Sequence, residues 1–127
     1  MTTSTKKNLI MQYKEKYPLL FAEHASDNLL LSKRYEAAWK VAKKAAAVLK
    51  DGYAAKKVVV FGSLTSRSSF NHWSDIDLAV WGIPDEKFFA AVGAVTSLSS
   101  EFKIDLVDAE DCRISLCKAI EEKGIEL

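Results

Sequence analysis

The chain has 127 residues, of which 49% are hydrophobic, and a formal net charge of +1. That length supports one compact domain with its own core, and the near-zero charge gives no electrostatic footprint for nucleic acid or an anionic membrane. The longest apolar runs fall far short of a membrane span, and residues 2–7 lack the apolar stretch of a secretory signal.

Residues 1–8 are polar and expected to fray, and residues 9–17 read as a short helix with Leu9, Ile10 and Tyr13 on one face, stopped by Pro18. Residues 19–31 are apolar at both ends and are not assigned to an element. From Ser32, the expected N-cap, the helical signal is firm. Tyr35, Ala38, Trp39, Ala42, Ala46 and Leu49 recur at helical spacing, while Lys40, Lys43, Lys44 and Lys50 fall largely elsewhere and read as a solvated face. Asp51-Gly52 is expected to end that helix, the glycine taking the left-handed position.

A β-branched run over residues 56–61 then predicts a buried strand that stops abruptly at Gly62-Ser63. Gly62 permits a backbone approach that a Cβ would block, and Ser63 offers an amide and a hydroxyl at the start of a helical turn, a geometry that suits an anion. Residues 64–74 are rich in Ser, Thr and Asn and read as a mobile loop over a ligand. Within them His72 reads as a surface histidine, and Trp73 either stacks on a base or packs beside the strand. A second strand over 75–81 ends at Gly82-Ile83-Pro84. Asp85 is the expected cap of a helix to about residue 98, with Phe88, Phe89, Val92 and Val95 toward the core. A third strand covers 102–107, and a turn over 108–111 leads to a last helix over 112–122. Gly124 closes that helix and Ile125 opens a short final strand. Cys112 and Cys117, five apart on the predicted helix, point to different sides. They read as two free thiols, which favours a reducing cytoplasm and no zinc site. No internal repeat or low-complexity linker breaks the chain.

The chemistry lies at the start of the second strand. Side chains alternate along a strand, so Asp75 and Asp77 share one face while Ile76, Leu78 and Val80 share the other. Adjacent carboxylates repel, and a divalent cation between them relieves that repulsion. The sequence thus predicts a metal site beside a phosphate-sized turn.

A Gly-Ser turn, a spacer of roughly ten residues and then Asp-x-Asp resembles the minimal nucleotidyltransferase (MNT) family of the DNA polymerase β-like superfamily, whose third carboxylate on a later strand matches Asp105. The resemblance runs from about Val58 to the chain's end. The spacer over 64–74 is one residue longer than the commonest pattern, and Arg67 is followed by Ser68 where many relatives have Arg-Gly. The resemblance implies an α/β (α+β) polymerase β-like nucleotidyltransferase fold, a mixed β-sheet flanked by helices. The expected organisation is a helical segment over 1–52 packed on a core over 53–127, one domain overall.

It further implies AMP transfer from ATP with Mg²⁺ as cofactor. Asp75, Asp77 and Asp105 are the implied catalytic and metal-binding residues; Gly62, Ser63, Arg67 and Ser74 are the implied nucleotide-binding ones. Asp105 would accept the proton of the attacking hydroxyl, and Arg67 would neutralise the leaving group. The alternative to a solvated face for the helical lysines is that one of them reaches the phosphates, and nothing in their spacing selects one. Small members of this family are often antitoxins whose partner is a helical HEPN ribonuclease toxin, which some adenylylate on tyrosine. The implied partners are therefore ATP and a HEPN-type toxin, with no nucleic acid and no membrane. The alternatives are a non-catalytic antitoxin that acts by complex formation, and a transferase for small molecules. Leu29-Leu30-Leu31 and Phe88 or Phe89 are candidate docking residues, with core packing as their other reading.

Overall fold

The computed structural model describes residues 18–127, so the expectations for residues 1–17 lie outside the described residues. The elements in chain order are α1 (Pro18–Tyr53), β1 (Lys57–Phe61), a 3-10 turn (Gly62–Thr65), β2 (Ile76–Trp81), α2 (Asp85–Thr96), β3 (Ile104–Asp108), a second 3-10 turn (Ala109–Asp111), α3 (Ile114–Lys123) and β4 (Ile125–Glu126). The chain divides between Lys33 and Arg34, and the unit Arg34–Leu127 contains the whole sheet. No helix among the described residues is long and apolar enough to cross a membrane.

The sheet has four strands in the order β3-β2-β1-β4. β1 pairs antiparallel with β2 and with β4, and β2 pairs parallel with β3, so the sheet is mixed as expected. Alternation sorts the residues onto two faces. One face carries Val58, Val60, Ile76, Leu78, Val80 and Ile104, all essentially inaccessible. Ala38, Ala42, Ala45 and Leu49 are fully buried as well, at the i, i+4, i+7, i+11 spacing of one helix stripe, and so are Ala91 and Val95 of α2. Tyr35 ties α1 to the turn after β1: its hydroxyl donates to the Leu64 carbonyl at 3.2 Å and its ring meets Phe70 edge-on at 5.3 Å. The opposite face carries Val59, Phe61 and Ala79, closed over by Ile120 and Leu116 of α3.

Several local expectations are corrected. Ser32 lies inside α1 and not at its start, because no Pro or Gly interrupts the helix between Pro18 and Gly52. Gly52 does not stop that helix either. The helix runs to Tyr53 and Ala54 takes the left-handed conformation at φ 62°, while the Ala55 amide donates to the Leu49 carbonyl at 3.0 Å. At α2 the N-cap is Pro84, so Asp85 and Glu86 sit inside the first turn, at the positive end of the helix dipole. Phe89 is 85% exposed and does not face the core; the buried stripe of α2 runs through Ala91 and Val95. Leu29 and Leu30 are exposed too.

The two cysteines are paired, not free. Cys112 and Cys117 form a disulfide with their Cα atoms 6.0 Å apart. The sequence reading failed because Cys112 is not helical: it lies in extended backbone, before α3 begins at Ile114, and the turn swings it toward Cys117. The thiol argument for a reducing compartment therefore loses its premise.

Candidate active site

β1 ends at Phe61, and Gly62, at φ 75°, turns the chain into the 3-10 turn. Only glycine adopts this conformation without strain. A Cβ at Gly62 would also fall on the Asp77 carboxylate, so the same residue that permits the turn lets the carboxylate lie against its backbone. The turn is closed by Thr65, whose hydroxyl donates to the Gly62 carbonyl at 2.7 Å.

The connection over 66–75 carries its own anchors and is not a loose flap. Phe70 is buried at its middle. The Asn71 amide donates to the Ser74 hydroxyl at 2.9 Å, the Trp73 amide donates to the Asn71 side-chain carbonyl at 2.8 Å, and the Ser74 amide donates to the Asn71 carbonyl at 3.2 Å. Ser74 is thus a buried turn-closing residue directly before the carboxylates. Trp73 is 85% exposed, which removes the packing alternative for its ring. His72 is exposed, as expected.

Asp77 and Asp105 are direct partners in the parallel β2–β3 register, and parallel partners present their side chains on one face. Asp75 precedes β2 by one residue. Burial first, then the charges of Asp105 and Asp75, push the Asp77 carboxyl up to about 6 from its ordinary 3.8, against the opposing pull of Lys103. Lys103 also lies 3.7 Å from the Asp105 carboxylate. Asp108, the other acidic residue of β3, pairs with Val80 on the opposite face, and its carboxylate accepts from the Glu110 amide at 3.0 Å. Of the two β3 aspartates, only Asp105 belongs with the pair.

Beside the carboxylates lies a cleft of about 720 Å³. One wall is the 3-10 turn, with Gly62, Ser63 and Thr65, continued by Ser66 and Ser69; the other is α3, with Ala119 and Lys123. Gly62 belongs to this wall and also abuts Asp77, so the cleft opens next to the carboxylates. Arg67 is not part of the lining; its guanidinium lies over the Tyr35 ring at 5.7 Å. Thr65, Ser66, Ser69, Ala119 and Lys123 are cleft residues that sequence reasoning did not single out, and Lys123 is the charged one among them.

The donor set fits a hard divalent cation. Carboxylate oxygens suit Mg²⁺, Mn²⁺ or Ca²⁺, and the mutual repulsion that raises Asp77 is the kind a cation relieves. Among the described residues no group of three acidic, His or Cys side chains is arranged to hold a metal ion, so Asp75, Asp77 and Asp105 do not meet as a three-carboxylate site. Mg²⁺ typically takes only one or two carboxylates and completes its shell with water and substrate phosphates.

Comparison with known proteins places the chain. The family profile described as "Polymerase beta, Nucleotidyltransferase" matches residues 43–127. Among solved structures, a chain of a variant MntA–HpeT toxin–antitoxin complex is 25% identical, with a TM-score of 0.55 over 67% of this chain and 69% of that one. A chain of a toxin–antitoxin complex with AMP-PNP is 23% identical, with a TM-score of 0.55 over 66% and 69% respectively. A chain from the tri-AMPylated Shewanella oneidensis HEPN toxin in complex with MNT antitoxin is 21% identical, with a TM-score of 0.51 over 70% of each. No curated protein matches the sequence significantly. The chain belongs to the polymerase β nucleotidyltransferase family, and it has that family's fold.

Proposed function

We propose that this nucleotidyltransferase-family chain transfers AMP from ATP to a hydroxyl of a protein, and that it is the antitoxin of a HEPN-type ribonuclease toxin. One observation carries the transferase reading: Asp77 and Asp105 share one sheet face, and Asp77 lies against Gly62, a residue that also lines a nucleotide-sized cleft. The toxin reading is supported by the structures it resembles, complexes of toxin and antitoxin, one with AMP-PNP and one with an AMPylated toxin.

Each residue has a role that follows from its place. Gly62 and Ser63 present the turn to the outer phosphates, the Ser63 hydroxyl adding a donor. Asp75 and Asp77 would hold Mg²⁺, with Asp105 completing the acidic set. When bound, the ion neutralises phosphate charge and polarises the reacting phosphorus. The acceptor oxygen forms a bond to the α-phosphorus, the bond to the bridging oxygen breaks, and pyrophosphate leaves. Asp105 takes the acceptor's proton. Most of the acceleration comes from positioning and charge stabilisation, as in phosphoryl transfer generally. Ser74 contributes by fixing the entry to β2. The exposed Leu29, Leu30 and Phe89 are candidate contacts for a protein acceptor.

The test is incubation with labelled ATP, Mg²⁺ and a HEPN-type helical protein, taken from a neighbouring reading frame where one is found, read by mass spectrometry. A gain of one AMP on that protein, lost with Asp105→Ala, is expected. A tight complex without mass gain would mean neutralisation by occlusion. Labelling of a free sugar or antibiotic, and of no protein, would overturn the acceptor class.

A further inference from the structure

The cleft wall contributed by α3 has no role in the account above, yet its chemistry is specific. On the turn side Ser63 and Ser69 add hydroxyls, while the Thr65 hydroxyl is bonded to the Gly62 carbonyl and the Ser66 and Ser69 amides to the Ser63 and Ser66 carbonyls; Ala119 offers neither charge nor side-chain donor. Lys123 is the one charged residue of the lining. A cleft with neutral hydrogen-bonding groups on one wall and a single cation facing it across the gap suits a multiply charged anion.

The position of Lys123 is set by the packing of α3. Ile120 is buried on Val59 and Phe61, and Gly124 follows Lys123 where any Cβ would collide with the Ile120 carbonyl and the Val59 side chain. The helix end is therefore pressed onto β1, and Lys123 is held at the flank of the turn that follows that strand. Lys123 forms no ion pair among the described residues, unlike Lys57, which pairs with Glu126 at 3.8 Å, and Lys103. Arg67, the cation expected to meet the leaving group, is stationed over Tyr35.

We infer that Lys123 is the cation that binds the outer phosphates of the nucleotide, facing the Gly62-Ser63 turn across the cleft and neutralising the pyrophosphate as it departs. This deepens the nucleotidyltransferase reading and rests on it. A lysine in the last turn of a helix also interacts favourably with the helix dipole, and that alone would account for its presence. The two explanations differ in what they do to ligands with different numbers of phosphates.

The experiment is calorimetric titration of wild type, Lys123→Gln and Lys123→Arg with MgATP, with AMP and with inorganic triphosphate plus Mg²⁺, alongside thermal melts. Lys123→Gln should weaken MgATP and triphosphate about tenfold, the loss of one charge-assisted contact. AMP binding should stay within about twofold, since the outer phosphates are absent, and Lys123→Arg should retain most of the affinity. Equal losses for AMP and ATP, or no loss for either, would overturn the assignment while leaving the transferase reading intact. A wild-type chain that binds no MgATP would overturn both.

Discussion

The two faces of the sheet are made by the same strands, one residue out of phase, and they have opposite economies. On one face Val58, Val60, Leu78 and Val80 are sealed from solvent along the full length of the strands. On the other the apolar layer stops short: Val59, Ala79 and Val107 lie under α3, and the next rung sets Phe61 beside Asp77 and Asp105. Each fully buried aliphatic side chain on the first face contributes about 1.5–3 kcal/mol. The carboxylate rung of the second face contributes the reverse, since burial and like charge work against ionised Asp77. The sealed face stabilises a rung that the open face could not hold alone. Substitutions on the two faces should therefore fail in different ways.

The largest effect is expected on the open face. Asp105→Ala should lower AMP transfer by about 10²–10⁴-fold, the range for losing a general base, while the melting temperature holds or rises. Wild-type transfer rates in this variant would show that the third carboxylate has been misassigned. The counterpart on the sealed face is Leu78→Ala, one residue from Asp77 and fully buried. It should destabilise the fold by about 2–5 kcal/mol, measured by denaturant unfolding, with activity lost only in proportion to the unfolded fraction. An inactive but stable Leu78→Ala protein would break the division between the faces.

Gly62→Ala tests the seam between them. The new Cβ meets both a left-handed backbone and the Asp77 carboxylate. A destabilisation of about 1–2 kcal/mol is expected from the backbone term, together with lost nucleotide binding because Asp77 is pushed aside. Retained MgATP affinity would mean that the turn and the carboxylate are not coupled.

How much of this was legible in the sequence follows from the range of the interactions involved. Strand alternation and the glycine turn are local, so the pairing of Asp75 with Asp77 and the turn at Gly62 were readable from neighbours alone. Alternation along β3 already sets Asp108 on the face away from Asp105, and the β2–β3 register pairs Asp105 with Asp77 and Asp108 with Val80. The extent of α1 was misread because a serine and a glycine were given their statistical roles, whereas a long helix tolerates both in its interior. Phe89 was assigned inward by periodicity, but α2 buries small residues instead. Neither the disulfide nor Lys123 was visible. Each depends on where the last helix begins and what its end is pressed against, and that is tertiary information.

The smallest effect concerns Asp77 itself, and it has an unusual sign. Its carboxyl is held at about 6 in the fold against an ordinary 3.8, so between those values the folded chain binds more protons than the unfolded one. Stability from this group is fully present below about pH 4 and is lost as pH rises through about 6. The full shift would correspond to a few kcal/mol, but Asp77 is only half buried and its field is screened, so about 1 kcal/mol is the realistic size. Asp77→Asn removes the charge while keeping the shape. In metal-free buffer it should therefore melt a few degrees higher than wild type at pH 7.5 and lose that advantage by pH 4. The same variant should bind MgATP poorly. Added Mg²⁺ and ATP should raise the wild-type melting temperature and leave the variant unchanged, because a ligand stabilises only the fold that binds it. Melts across this pH range, with and without MgATP, check both halves. A variant less stable than wild type at pH 7.5 would show that Asp77 is held by favourable contacts and not by the carboxylates around it. The open face would then be a structural surface.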